Sequence, residues 1–234
     1  MTLHNVDVAA ALYREEPVTL YYLSHDPVEA AAQALDAHVT AGQLAVVTML
    51  SNAWHERNPN VLPIDETSPL DQLYKRRSPP PSGSQATLHY DNPDPFYKES
   101  AGDKPYWLLK GQRIGEYRHF EHANAEWARA SRANYNWAWQ YGLALAEEFR
   151  RRWGYYTLLL PQLWTLEDAP PWLDAEVPTT QPSPVVPANS IVMDEDGYYD
   201  TVGSYRAYYL LHKRSLFKWT GRPEPAWVKE APTG

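Results

Sequence analysis

The sequence predicts a mainly α-helical fold in a single domain, with long proline-rich loops between the helices and at most a short β element near the N-terminus. Three observations lead to this prediction. Apolar residues recur at helical spacing in several segments, prolines concentrate between those segments, and a length of 234 residues suits one large domain. The hydrophobic fraction of 44%, with 10 Trp and 17 Tyr, supplies enough apolar surface for a folded core.

The N-terminal part of the chain predicts one short β element followed by two packed helices. Residues 18–23 read VTLYYL, a β-prone run. Asp26 and Pro27 then match the N-cap and the first position of a helix, and the alanine-rich segment that follows has high helix propensity. After a break at Gly42, a second apolar helix is expected to extend to Trp54.

The rest of the chain alternates between proline-rich connections and helices. Prolines interrupt every potential helix between residues 58 and 115, so we expect a long loop inserted into the domain. Residues 122–152 contain no proline and carry apolar residues three and four apart, which predicts one helix of about eight turns ending before Gly154. A second proline-rich connection at 161–187 leads to a last helix at 199–219.

The composition excludes several kinds of site. The chain has no cysteine, which rules out disulfides, thiolate zinc sites and a cysteine nucleophile. No run of 18 apolar residues and no signal-peptide pattern is present, so we expect no membrane association. Trp54-His55-Glu56 is half of a zinc motif, and no glycine-rich phosphate loop or Schiff-base lysine context is found. We therefore expect no metal and no cofactor.

The net charge of −8 argues against non-specific coating of nucleic acid, because contacts with phosphate rely on Lys and Arg. The cations are nevertheless clustered locally, and together the clusters could form one basic face. The clusters are Lys75-Arg76-Arg77, Arg129 with Arg132, Arg150-Arg151-Arg152, Lys213-Arg214, and Lys218 with Arg222.

Four stretches carry rare residue types in a specific order. They are residues 22–39, 122–154, 205–219 and 222–227. In the second stretch, His122 is followed by Trp127, Arg129, Ser131 and Asn134-Tyr135-x-Trp137; in the third, Tyr205-Arg206-x-Tyr208-Tyr209 precedes Lys213 and Lys218-Trp219. This pattern resembles the bacteriophage enzymes that hypermodify thymidine in DNA, most closely the amino acid:DNA transferases.

The resemblance implies transfer of an amino acid, with glycine as the preferred donor, through its amino nitrogen to 5-phosphomethyl-2'-deoxyuridine with loss of phosphate. The implied partners are double-stranded DNA carrying that base and free glycine, in the cytoplasm of the infected bacterial host. Ala37, Ala41 and Ala45 stand around His38 where the family carries two lysines and a glutamate. This departure keeps two alternatives open: another step of thymidine hypermodification, and a non-catalytic phage DNA-binding protein.

Such a reaction needs a base for the attacking amine and cations for the departing phosphate. Histidine can accept the proton at neutral pH, arginine grips phosphate with two hydrogen bonds, and an asparagine amide matches the O4 and N3–H edge of a pyrimidine. The expected catalytic residues are His38, His122, Arg129 and Asn134. The expected DNA-binding residues are Ser131, Arg132, Tyr135, Trp137, Lys213, Arg214, Lys218 and Arg222.

A structural interpretation competes with each of these assignments. His38 could be satisfied within a helix interface, Ser131 and Asn134 could serve polar packing between helices, and helical aromatic residues belong more often to a core. Arg129 is displaced by about 160° from Ser131 on a helix, so these side chains do not all point into one pocket. We expect base flipping, because positioning the amine and the leaving group favours an extruded nucleotide. The sequence leaves open whether attack is direct displacement or proceeds through an exocyclic methylene.

Overall fold

The computed structural model describes residues 18–56, 96–101, 104–109, 112–115 and 119–229, and these residues form a mainly helical structure. The helices are α1 (Pro27–Gln33), α2 (Asp36–His55), α3 (Ala123–Ala130), α4 (Arg132–Trp153), α5 (Leu160–Thr165), α6 (Thr201–His212) and α7 (Ala226–Lys229). The strands are β1 (Phe96–Ala101), β2 (Lys104–Leu109) and β3 (Gln112–Ile114). Short 3-10 turns lie at Ala188–Ser190 and Arg214–Leu216. The prediction of a mainly α fold is confirmed.

Helix α1 begins as its sequence predicts. The Asp26 carboxylate accepts a hydrogen bond from the Glu29 amide at 2.8 Å, and Pro27 occupies the first turn, where a missing N–H costs nothing. The helix ends at Gln33 because Ala34 and Leu35 are extended, with ψ of 141° and 154°. The break between the first two helices therefore lies here and not at Gly42, so the predicted position was wrong.

Gly42 is needed for helix packing. Helix α2 is buried on nearly all sides and packs along α4, which forms the centre of the core. A Cβ atom added at Gly42 would lie 2.9 Å from Leu145 Cδ1, and one added at Gly142 would lie 2.7 Å from Val46 Cγ1. Each helix therefore uses a glycine to let the other approach closely.

The long helix predicted for residues 122–152 is two helices. Ser131 interrupts it in an extended conformation, with φ −153° and ψ 161°, and its hydroxyl accepts a hydrogen bond from the Asn134 amide at 3.1 Å. The serine is thus the N-cap of α4. The predicted C-terminal stop is confirmed, because Gly154 adopts the left-handed conformation with φ 83°.

A three-stranded antiparallel sheet lies within the segment interpreted as loop. Strand β1 pairs with β2 from Phe96 opposite Leu109 to Ala101 opposite Lys104, and β2 pairs with β3. The loop interpretation is therefore wrong for residues 96–101, 104–109 and 112–114, while residues 57–95, 102–103, 110–111 and 116–118 lie outside the described part of the chain. The stretch is rich in aromatic residues, which favour strands, and the Gly115 amide after β3 donates to the Ser51 hydroxyl of α2 at 2.8 Å.

The ends of the structure also differ from prediction. Residues 18–23 are buried but form no strand, and the last predicted helix is shorter than expected, because α6 ends at His212. Its N-cap is Asp200, whose carboxylate accepts from the Gly203 amide at 2.8 Å. Within the described segments, none of the helices combines the length and the apolar character needed to cross a membrane.

Candidate functional site

His38 lies at the centre of a buried aromatic cluster. Its side chain is 0% exposed, and its Nδ1 atom lies 2.6 Å from the Tyr209 hydroxyl of α6. The Tyr21 ring stacks on the imidazole with the ring planes 4° apart and the centroids 3.8 Å apart. The imidazole is therefore held in one orientation, and in this conformation no part of it reaches solvent.

Trp227 of α7 covers the outer side of this cluster. Its ring meets the edge of Tyr209 at 5.9 Å between centroids, and its indole N–H donates to the Gln33 side-chain oxygen at 2.7 Å. The guanidinium of Arg206 lies 5.8 Å from the Trp227 ring and donates to the Leu23 carbonyl at 2.9 Å. The C-terminal helix thus closes over Tyr209 and the end of α1.

The first of the four stretches that carry the phage resemblance contacts each of the other three. His38 and Tyr209 join the first stretch to the third, and the Trp219 indole of the third donates to the Gln33 carbonyl of the first at 2.9 Å. The Trp137 indole of the second stretch donates to the His25 carbonyl at 2.7 Å. Trp227 adds the closing stretch, so segments remote in sequence form one contiguous unit.

Asn134 uses its amide inside the protein. Its Nδ2 donates to the Trp127 carbonyl at 3.0 Å and to the Thr180 hydroxyl at 3.2 Å, while its Oδ1 accepts from the Thr180 amide at 2.9 Å. The residue is 1% exposed. It therefore fastens the connection at Thr180 to helices α3 and α4, and its edge is not open to a pyrimidine in this conformation. Ser131, also expected to bind DNA, is the buried N-cap described above.

Tyr135 and Trp137 belong to the core. The Tyr135 ring is 0% exposed; its hydroxyl donates to the Leu166 carbonyl at 2.8 Å and accepts from the Trp54 indole at 3.2 Å. Trp137 is 6% exposed and stacks on Tyr22 at 4.6 Å between centroids. Neither ring can stack on a base in this conformation, and the structural interpretation holds for both.

His122 is half-buried at the start of α3. Its Nδ1 accepts a hydrogen bond from the Asn124 amide at 3.2 Å and caps the helix. Burial lowers the pKa of His122, and the nearby His119 lowers it further, against the opposing effect of Glu126. The imidazole is therefore neutral at pH 7. A neutral ring that accepts at Nδ1 carries its proton on Nε2, so Nε2 is a donor.

Arg129 lies in the same helix, at its last turn. Its guanidinium stacks over the Phe120 ring at 3.7 Å from the centroid and donates to the Phe120 carbonyl at 2.6 Å. Its Nε atom lies 3.5 Å from the Glu56 carboxylate, and its Nη2 atom lies 3.8 Å from that of Glu126. Helix α3 and the turn before it thus bring His122 and Arg129 into one region, separate from the aromatic cluster around His38.

Two of the predicted cations, Arg152 and Arg222, form a largely buried charge network. The Arg152 side chain is 0% exposed; it donates to the Ala34 carbonyl at 2.9 Å, to Asp36 at 3.0 Å and to Glu148 at 3.2 Å. Arg222 pairs with the same Glu148 carboxylate. Burial alone would raise the pKa of Glu148, but the two arginines outweigh it and the pKa is lowered. The network ties α2, α4 and the C-terminal segment together.

The remaining cations differ in accessibility. Lys213 is 7% exposed, with its ammonium 5.0 Å from the centre of the Tyr208 ring. Arg214, Lys218 and Arg132 are exposed, and the Arg214 Nε donates to the Leu210 carbonyl at 2.9 Å. Lys75-Arg76-Arg77 lies outside the described residues. The cations at 213–222 therefore differ in exposure: Lys213 is buried, Arg222 pairs with Glu148 with its side chain 28% exposed, and Arg214 and Lys218 are exposed.

Sequence reasoning missed the residues that hold the site together. Tyr21 and Tyr209 enclose His38, and Asp36 and Glu148 hold the arginines. Tyr209 was part of the recognised motif, but no local signal placed it beside a histidine 171 residues away. Among the described residues, no group of three or more His, Asp or Glu is arranged to hold a metal ion.

Comparisons with known proteins return no relative. No protein-family model matches the chain, and neither the curated proteins nor the solved structures include a match. The resemblance to phage hypermodification enzymes therefore stays a prediction from the quoted residues.

Proposed function

We propose that the chain is a DNA hypermodification enzyme of bacteriophage type. It transfers an amino acid, with glycine as the expected donor, through its amino nitrogen to 5-phosphomethyl-2'-deoxyuridine in double-stranded DNA, with loss of phosphate. The observation that supports the proposal is that all three later stretches contact the first one: the third through Tyr209 and His38, the second through Trp137 and His25, and the closing stretch through Trp227 and Gln33. A residue pattern that is scattered in sequence but contiguous in space is typical of a functional unit. The site of action is the cytoplasm of the infected host.

The reaction balances without an oxidant or a cofactor. A bond forms between the amino nitrogen and the 5-methylene carbon, and the bond from that carbon to the phosphate oxygen breaks, so phosphate leaves with the electron pair. The amine must be neutral to attack, which requires a base for the ammonium proton. Direct displacement and an exocyclic methylene intermediate both satisfy this balance.

The half-buried residues of α3 are the best candidates for direct contact with the phosphate. The His122 Nε2–H is a hydrogen-bond donor on a neutral ring. The Arg129 guanidinium, 9% exposed and flanked by Glu56 and Glu126, would have to exchange a carboxylate for the phosphate in order to bind it. Donors aimed at the developing charge of a leaving group lower the barrier. In this assignment His122 is a donor to phosphate and not the base.

His38 as the base is an alternative to the α3 site, because the His38 cluster is separate from His122 and Arg129, and this alternative requires movement of the protein. The imidazole is enclosed by Tyr21 and Tyr209, and Trp227 covers the latter. This alternative therefore includes release of the C-terminal helix α7 when DNA binds, which would open a path to the cluster. Asn134 likewise reads a base only if the connection at Thr180 detaches from it.

One observation favours a second candidate function. The enclosure of His38 and Asn134, both at most 1% exposed, is what a structural role for these residues requires. A non-catalytic phage DNA-binding protein would retain this closed arrangement throughout its cycle and would bind DNA without changing its mass.

The test is incubation of duplex DNA that carries 5-phosphomethyl-deoxyuridine with the protein and each amino acid in turn, followed by nucleoside mass spectrometry. We expect a glycine adduct on the phosphorylated base and none on 5-hydroxymethyl-deoxyuridine DNA, which lacks the leaving group. Unchanged nucleoside masses with every amino acid, on DNA that the protein binds, would leave the non-catalytic candidate. A 2-aminopurine placed beside the target base reports flipping by a rise in fluorescence.

A further inference from the structure

Arg206 on α6 is a half-buried arginine that forms no ion pair with a carboxylate of the described residues. Its Nη2 donates to the Leu23 carbonyl at 2.9 Å, and its guanidinium lies 5.8 Å from the centre of the Trp227 ring. Its Nε is buried without a hydrogen-bond partner, and its Nη1 donates to no described residue. The Tyr205-Arg206-x-Tyr208-Tyr209 motif therefore contains a cation with donors left over.

This lack of a counter-charge sets Arg206 apart from the other enclosed arginines. Taking a charge out of water is costly unless an opposite charge compensates for it. Elsewhere in the described part of the chain, each buried or half-buried arginine has at least one carboxylate partner. These arginines are Arg129, Arg152 and Arg222. The position of Arg206 therefore suits an anionic group that comes from outside the chain.

A carboxylate lies on the far side of the Gln33 side chain. The Gln33 Oε1 lies 3.5 Å from the Arg206 Nη2, and the Gln33 Nε2 donates to the Glu29 carboxylate at 3.2 Å. Glu29 is exposed, and its second carboxylate oxygen accepts from the Ser24 hydroxyl at 2.6 Å. One amide thus holds the cation and the anion apart, and the surface presents two opposite charges side by side.

This arrangement of charges discriminates between classes of anion. Arginine binds a carboxylate or a phosphate with two hydrogen bonds. A phosphate group, free or in nucleic acid, would be attracted by Arg206 but repelled by Glu29. A molecule that carries a carboxylate and an ammonium on the same carbon matches both charges. The two side chains therefore favour the zwitterion of an α-amino acid.

We infer that Arg206 and Glu29 bind a free α-amino acid, with its carboxylate on the Arg206 guanidinium and its ammonium on the Glu29 carboxylate. The choice of glycine as that amino acid rests on the proposed function. Because Trp227 contacts both Arg206 and Tyr209, the amino acid lies at the edge of the aromatic cluster around His38. This position favours the alternative in which His38 is the base.

The test is an NMR titration of the DNA-free protein with glycine, acetate, glycinamide and inorganic phosphate. Acetate lacks the ammonium, and glycinamide lacks the carboxylate. The dissociation constant for glycine should be lower than those for acetate and glycinamide by about tenfold or more, because each loses one charged hydrogen-bonding group. Phosphate should bind more weakly than glycine.

Variants at the two charged residues should separate the two ends of the amino acid. Arg206→Gln should weaken glycine binding about tenfold or more, and glycine should no longer raise its melting temperature as it does for the unchanged protein. Glu29→Gln, at an exposed position, should weaken the binding of glycine and leave that of acetate unchanged. The matched control is Arg151→Gln, which removes the same charge from an exposed site on α4 and should bind glycine as the unchanged protein does.

Three outcomes overturn the inference. They are equal affinities for glycine, acetate and glycinamide, tighter binding of phosphate than of glycine, and wild-type affinity for glycine in Arg206→Gln. An equal loss in Arg151→Gln would also contradict it, because the effect would then follow net charge and not the site.

Nucleoside mass spectrometry distinguishes this inference from the proposed function. Glycine binding that depends on Arg206, without any adduct on DNA, removes the transferase function and leaves the amino acid site in place. An adduct formed by Arg206→Gln with the wild-type KM for glycine removes the site and leaves the transferase function.

Discussion

Two regions of the molecule each contain an arginine and a histidine and yet differ in what those residues can do. In the α2–α4 core, Arg152 and His55 are buried, and each bonds to groups inside the protein. At the start of α3, His122 is half-buried and its Nε2 is left as a donor, whereas Arg129 is held by Phe120, Glu56 and Glu126 with its side chain 9% exposed. A polar side chain whose donors and acceptors are all bonded within the protein serves the fold, whereas one with a donor left over can bind a substrate.

The largest effect is expected from removing the centre of the buried charge network. Arg152→Met should lower the free energy of unfolding by about 3–5 kcal/mol, because Asp36 loses its cation, the buried Glu148 keeps only Arg222, and the Ala34 carbonyl loses its donor. Urea denaturation measures the change. The control is the exposed neighbour Arg151→Met, for which about 0.5 kcal/mol or less is expected. Equal effects at the two positions would show that burial does not distinguish them.

The buried imidazole of His55 should make the stability of the fold depend on pH in the acid range. Burial lowers the pKa of His55 to about 4, from an ordinary value of 6.5, against the hydrogen bond to the Gly115 carbonyl. Between about pH 6.5 and pH 4, His55 is protonated in the unfolded chain but not in the folded one. The free energy of unfolding should therefore fall by about 3 kcal/mol as the pH is lowered through this range.

Urea midpoints measured at intervals through this range test the histidine prediction. His55→Asn should flatten the pH profile between 6.5 and 4. A profile as steep as that of the unchanged protein would assign the acid sensitivity to other groups.

The close approach of the central helices should tolerate little added volume. Gly142→Ala should destabilise the protein by about 1–3 kcal/mol, because the new methyl group would lie 2.7 Å from Val46 Cγ1 and 2.8 Å from Leu163 Cδ2. Thermal melting measures the loss. Adding Val46→Ala to this variant removes one of the two clashes, so the double variant should lose less than the sum of the single changes. Strict additivity would contradict the contact.

Replacing His122 at the start of α3 should change the free energy of unfolding little and the rate of amino acid transfer strongly. His122→Asn keeps a good N-cap for α3, so the free energy of unfolding should change by about 0.5 kcal/mol or less. The variant loses the Nε2–H donor, and the rate of amino acid transfer should fall about 100-fold. His212→Asn, at an exposed histidine on α6, is the control and should keep the wild-type rate. An unfolding cost without a loss of rate would place His122 with the structural residues.

Local chemistry made part of the fold predictable. The Asp26-Pro27 start of α1 and the Gly154 stop of α4 are set by residues next to the backbone groups that they satisfy. The interruption at Ser131 was not predictable from apolar spacing, because the buried stripe continues across it. The strands at 96–114 were missed because the prolines of the surrounding segment outweighed the aromatic residues within it.

The candidate site was harder to predict, although one signal was available. Asn134 lies four and seven positions before Ala138 and Tyr141, so helical spacing already placed it on the buried stripe. Asn136 lies off that stripe, and its exposure follows from the same pattern. The enclosure of His38 by Tyr209 depends instead on how α6 packs against α2, which no local pattern contains.

The most direct test of the central claim uses glycine labelled with ¹⁵N and duplex DNA carrying 5-phosphomethyl-deoxyuridine. After digestion, nucleoside mass spectrometry should find the labelled nitrogen attached to the thymidine-derived base, with one inorganic phosphate released for each adduct. A nucleoside that keeps its phosphate, or loses it without gaining the label, would contradict transfer by this protein.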